Sequence, residues 1–139
     1  MTQIVYTFGY AGQHRDRFIQ AVKALDATVF DIRFSPRSRN PAWAGRSLAA
    51  RLGDRYRHVR ELGNRNYKGS DIQIVDLRAA YKIIEASERP VILLCVCGDV
   101  RQCHRAVIAR ALLSRGLNVQ ELNLTQPVQP SLWDQGTEP

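Results

Sequence analysis

Apolar positions along this chain alternate between two periods. Gln3 to Phe8 (QIVYTF) is short, β-branched and aromatic, and it ends at Gly9, which reads as a strand entering a turn of Gly9, Tyr10, Ala11 and Gly12. From His14 to Leu25, Phe18, Ile19, Val22 and Leu25 recur at helical spacing, with Arg15, Asp16, Arg17 and Lys23 between them. Thr28 to Ile32 (TVFDI) predicts a second strand. Arg33 to Arg46, interrupted by Pro36 and Pro41, predicts a long loop. Ser47 to Leu52 predicts a short helix with Ser47 as N-cap, Arg55 to Val59 a short strand, and the glycines and asparagines of Leu62 to Ser70 a further loop. Ile74, Leu77, Tyr81 and Ile84 step by three, four and three, predicting a helix over Asp71 to Ala86. Val91 to Val96 (VILLCV) is a continuous apolar run, as in strands buried on both faces. Asp99 to Arg115 predicts a helix closed by Gly116, and Asn118 to Leu124 a last strand.

Strands alternating with helices predict an α/β fold, a mostly parallel sheet flanked by helices in a Rossmann-like three-layer architecture. The 139 residues suit a single domain over residues 1–124 followed by a Pro-containing C-terminal tail, 125–139. A hydrophobic fraction of 45% and a charged fraction of 24% exclude a low-complexity or collagenous chain. No apolar run reaches the roughly 20 residues of a membrane helix, and the N-terminal residues lack a signal-peptide pattern. The odd count of three cysteines argues against a disulfide scaffold. The expectation is a cytoplasmic protein with reduced thiols and no membrane partner.

The net charge of +7 is local. Between Arg33 and Arg65 stand nine arginines and two acids, Asp54 and Glu61, a net of 9 − 2 = +7; the rest of the chain balances. Arginine suits bidentate phosphate contacts and stacking, and Phe34, Trp43, Tyr56, His58 and Tyr67 are interleaved with it. This composition fits a surface that tracks phosphates and stacks bases. It also fits a small anionic ligand, or a solvated face with internal ion pairs.

Ligands of open α/β sheets bind beyond the carboxyl ends of the strands. Three such ends carry unusual residues: Gly9 and Tyr10; Asp31, Arg33 and Arg37; and Cys95 followed by Arg101, His104 and Arg105. If the sheet is parallel, these share one rim. Arg33, Arg37, Arg101 and Arg105 then hold an anion, Gly9 and Tyr10 line it, and Asp31 and His104 orient it or move protons. Asp99 and Gln102 form a capping box at the start of the following helix, whose N-terminus favours an anion. Each residue has a plainer reading: Asp31 as an ion-pair partner of Arg33 or Arg37, His104 as a cap, Tyr10 and Trp43 as core-edge aromatics.

Cys95, Cys97, Cys103 and His104 lie within ten residues. Cys95 and Cys103 fit as small buried hydrophobes. Alternatively, the seven-residue span from Cys95 to Arg101 has the spacing of the cysteine-phosphatase loop and resembles the rhodanese active loop, with Cys95 as nucleophile and Arg101 as anion clamp. The paired spacing of a structural zinc site is absent, so neither a metal site nor a cofactor is predicted.

Thr7-Phe8-Gly9-Tyr10, Phe30-Asp31-Ile32-Arg33 with Pro36-Arg37-Ser38, Glu61-Leu62-Gly63, Leu93-Leu94-Cys95 and Cys103-His104-Arg105 form an ordered set. Over residues 4 to about 124 the chain resembles the family called domain of unknown function 488. The resemblance implies a small α/β domain with its characteristic polar residues at strand ends, and it brings no substrate. Members usually have Gly-His-Ser where this chain has Gly9-Tyr10-Ala11, and an acid where it has Cys97.

The leading functional expectation is therefore a basic strand-end site for a phosphate-bearing ligand, nucleic acid or nucleotide. The alternatives are a cysteine-dependent enzyme, phosphatase-like or sulfurtransferase-like, using Cys95, and a protein-interaction module with an Arg-rich loop.

Overall fold

A computed structural model describes residues 4–66, 72–96 and 104–124. The strands are β1 (Ile4–Gly9), β2 (Thr28–Asp31), β3 (Tyr56–His58), β4 (Val91–Cys95) and β5 (Asn118–Glu121). The α-helices are α1 (Arg15–Leu25), α2 (Gly45–Leu52), α3 (Leu77–Glu85) and α4 (His104–Ser114). All strand pairs are parallel, in the order β3-β2-β4-β1-β5. The chain moves one way across the sheet from β1 to β3 and the other way from β3 to β5. With right-handed crossovers this sends helices to both faces. Accordingly, Phe18, Ile19 and Val22 of α1 and Leu48 and Leu52 of α2 share one core with Val29, Ile92 and Leu94. Ala80 and Ile84 of α3 and Ile108 and Leu112 of α4 share the other with Phe30, Val91 and Leu93. Burial on both faces explains the unbroken apolar run of β4, the central strand.

The helix ends follow from local chemistry. At the end of α1 the amides of Asp26 and Ala27 donate to the carbonyls of Lys23 and Val22, with Asp26 left-handed at φ 53°. Gly116, at φ 85°, closes α4 in the same way: it and Leu117 donate to Leu113 and Leu112.

Several elements differ from the sequence expectation. The third helix begins at Leu77, because the side chain of Asp76 caps it by accepting from the amide of Ala79 at 3.0 Å. The preceding segment is tied to 61–64 instead: Val75 and Asp76 donate to the carbonyls of Gly63 and Glu61, and Asn64 Oδ1 accepts from the amide of Gln73. Ile74, which supplied the first step of the helical pattern, forms an antiparallel bridge with Asn64. Ser47 does not cap α2, which starts two residues earlier at Gly45 after Ala44; its hydroxyl accepts from Arg15 Nη1 at 3.1 Å. The predicted loop Arg33 to Arg46 contains a short 3-10 turn, Pro41–Trp43, and another, Arg60–Leu62, leads into the predicted loop that starts at Leu62. The capping box of Asp99 and Gln102, the thiols of Cys97 and Cys103, and the tail 125–139 lie outside the described residues. Among the described residues no helix is long and apolar enough to cross a membrane.

Candidate functional site at the carboxyl edge

The carboxyl ends of all five strands lie on one edge, and the chain leaves β4 for the opposite face from the chain leaving its neighbours β1 and β2. Such a divergence is where α/β folds place ligands. At the end of β2, Asp31 is fully buried and accepts from Arg33 Nε at 2.8 Å and Arg33 Nη2 at 2.5 Å. It also accepts from the amide of Arg33 at 3.2 Å and from the hydroxyl of Tyr56 at 2.7 Å. Arg33 Nη1 donates to the carbonyls of Trp43, at 2.8 Å, and Arg37, at 3.4 Å. Arg33 Cζ lies 5.3 Å from the ring centroid of Tyr10, which stacks on Trp43 at 4.9 Å. Burial opposes the charge of Arg33, but the bond to Asp31 and its negative charge overcome this and hold the guanidinium above its ordinary value.

Two imidazoles extend the ladder beyond β2. His58 Nε2 lies 2.7 Å from the carbonyl of Arg33 on the β3 side. His104 Nε2 lies 2.9 Å from the carbonyl of Ile32, from the first residue of α4. A carbonyl only accepts, so both histidines carry the proton on Nε2. His104 thus binds the carbonyl of the residue that follows Asp31. Tyr56 and His58 were not singled out as site residues in the sequence; their signal is alternation in a three-residue edge strand, with Arg57 exposed between them.

A second cluster occupies the other face. Alternation along the strands puts Asp31 with Val29 over α1 and α2, and Cys95 with Leu93 and Val91 over α3 and α4. The guanidinium of Arg105, fully buried, donates through Nη1 to Cys95 Sγ at 3.1 Å and through Nη2 to Glu121 Oε2 at 3.0 Å. Thr7 donates its hydroxyl to the other oxygen of Glu121. Cys95 is 1% exposed. Gly9 is the register partner of Cys95, and the amide of Tyr10 donates to the Cys95 carbonyl at 3.0 Å. The fold therefore brings Tyr10, Asp31, Arg33 and His104 to the end of β2, and separates the guanidinium of Arg33 from that of Arg105 by the sheet. Arg101 lies outside the described residues, and Arg37 is exposed. No group of three potential metal-ligating side chains occurs among the described residues.

Two glycines let segments of the arginine-rich region pack closely. A β-carbon on Gly45 would lie 2.7 Å from Pro36 Cβ and 2.7 Å from the Tyr56 hydroxyl. One on Gly63 would lie 2.7 Å from Phe34 Cα. The exit of β2 is thereby clasped between the start of α2 and the exit of β3, with Arg37, Arg46, Arg60 and Arg65 beside the contacts. Of the nine arginines in 33–65, Arg33, Arg51 and Arg55 pair with Asp31, Asp16 and Asp26. The remaining 9 − 3 = 6, Arg37, Arg39, Arg46, Arg57, Arg60 and Arg65, are exposed and meet no carboxylate among the described residues.

No curated protein and no solved structure matches this chain. A family model matches residues 14–82, which include β2, the arginine-rich segment and both glycines of the clasp. The chain belongs to the family described as domain of unknown function DUF488.

Proposed function

We propose that the protein binds a phosphate-bearing polyanion, nucleic acid, along the rim formed by the exits of β2 and β3. The observation that carries this reading is the set of exposed arginines that meet no carboxylate among the described residues, beside the Gly45 and Gly63 contacts. Guanidinium groups that are neither buried nor internally neutralised keep their field and donors for an outside anion. Arg46 adds a second argument. It stands in the first turn of α2, where no acid and no side-chain cap is present. A cation there opposes the helix dipole, and an anion bound at the rim removes the conflict. Arg33 acts as a positioning residue: its fork holds the carbonyls of Arg37 and Trp43, and so fixes the loop that carries Arg37 and Arg39. Asp31 neutralises it and His104 supports the adjacent carbonyl. The burial of Cys95 Sγ against Arg105 favours packing over substrate attack.

The test is fluorescence anisotropy with labelled oligonucleotides across a salt series. Each phosphate neutralised on a single strand contributes about −0.7 to the slope of log affinity against log salt. Replacing Arg37, Arg46, Arg60 and Arg65 together by Ala is expected to weaken binding and flatten that slope by about three. A flat salt dependence, or equal competition by polyglutamate, overturns the reading; the second outcome points to an acidic protein partner.

A further inference from the structure

Phe34 leaves β2 directly after Arg33 and is held from two directions. His58 Nε2 binds the Arg33 carbonyl at 2.7 Å, and the backbone of Gly63 packs so closely on Phe34 Cα that no side chain fits between them. Arg60, the first residue of the 3-10 turn Arg60–Leu62, places Cζ 4.4 Å from the Phe34 ring centroid. Phe34 is half-buried, whereas Arg60 is exposed and forms no ion pair among the described residues. An exposed guanidinium backed by a fixed aromatic ring is a flat, weakly hydrated, cationic surface. Arg37 follows Phe34 by three residues and Arg65 follows Gly63 by two, and both are exposed.

We infer that Arg60, backed by Phe34, is a stacking platform for one unpaired base, so that the ligand is single-stranded nucleic acid. This rests on the polyanion reading above and goes beyond it, because phosphate contacts alone do not distinguish a single strand from a duplex. In a duplex the base faces are already stacked, and only edges, sugars and phosphates are offered. In a single strand a base face is available to a guanidinium plane. A Lys at position 60 would keep the charge and lose the plane.

The experiment compares four short probes at one salt concentration: oligothymidylate, oligouridylate, a strand of equal length with abasic sites, and a duplex. The two natural strands are expected to bind about tenfold more tightly than the abasic strand, the effect of one stacked base. Arg60→Lys, which keeps the charge and loses the plane, is expected to bring the ratio of natural-strand to abasic-strand affinity from about tenfold down to near one. Phe34→Leu, with folding checked by circular dichroism, is expected to do the same. A sugar preference with the abasic strand still weaker supports the platform and identifies RNA or DNA as the source. Equal binding of abasic and natural strands, or an Arg60→Lys protein that retains the advantage, sinks the platform but leaves the polyanion reading standing. Absence of binding to all four probes sinks both.

Discussion

The guanidinium of Arg33 lies bidentate on the carboxylate of Asp31, two residues earlier, and both groups are shut away from water. A buried pair of this kind contributes little net stability relative to apolar residues, but leaving one partner alone is costly. Asp31→Ala and Arg33→Ala are each expected to lower the unfolding free energy in urea by about 3–5 kcal/mol. The double variant is expected to lose clearly less than the sum of the two, since it leaves no orphan charge. Additive losses would show that the pair is not a coupled unit.

Tyr56 links this pair to pH. Burial first, then its bond to Asp31 and the negative charge of that carboxylate, raise the Tyr56 hydroxyl above its ordinary value, with Arg33 pulling the other way. The unfolded chain releases this proton near pH 10, whereas the folded chain retains it to higher pH. Between those values the unfolded state holds fewer protons, so stability falls as pH rises. Below about pH 10 the group adds no slope. Urea titrations at a series of alkaline pH values should therefore show a steeper decline for the native protein than for Tyr56→Phe. The same slope in both would exclude Tyr56 as the source.

The glycine clasp predicts a contrast between two substitutions. Gly63→Ala forces a methyl group against the backbone of Phe34 and is expected to cost about 1–3 kcal/mol. It should also weaken oligonucleotide binding, because Phe34 must move. Gly116→Ala has open space around it but a φ of 85°, so it is expected to cost about 1 kcal/mol through strain alone and to leave binding unchanged. Denaturation and anisotropy on the same two proteins check both statements.

Cys95 is expected to be shielded. In a variant with Cys97→Ser and Cys103→Ser, a disulfide reagent should modify Cys95 only as fast as the fold opens, and rapidly in denaturant. Fast modification of the native variant would revive the nucleophile reading. Arg105→Leu is expected to be more destabilising than Cys95→Ala, because Arg105 also anchors Glu121, which in turn accepts from Thr7.

The sheet-and-helix alternation was legible in the sequence because hydrophobic periodicity is a local property. Phe18, Ile19 and Val22 mark the buried face of α1, and the run at Val91–Cys95 marks a strand covered twice. Ile74 misled because its spacing was helical, although Asp76 and Asn64 offered its neighbours other backbone partners. The Asp31–Arg33 pair was present among the sequence readings as an ion pair, and its two-residue spacing along one strand face is what makes it visible.

By itself the sequence determined the order and kind of most elements and the concentration of positive charge between Arg33 and Arg65, since both depend on neighbours in the chain. Only the tertiary structure decided that β4 lies between β1 and β2, that Asp31 and Cys95 face opposite layers, and which arginines remain unanswered. Arg51 and Arg55 find Asp16 and Asp26, carboxylates about thirty residues away, through the packing of α2 and β3 against α1 and β2. Charge is set by composition, but neutralisation is set by which side chains folding brings within a few ångströms of each other.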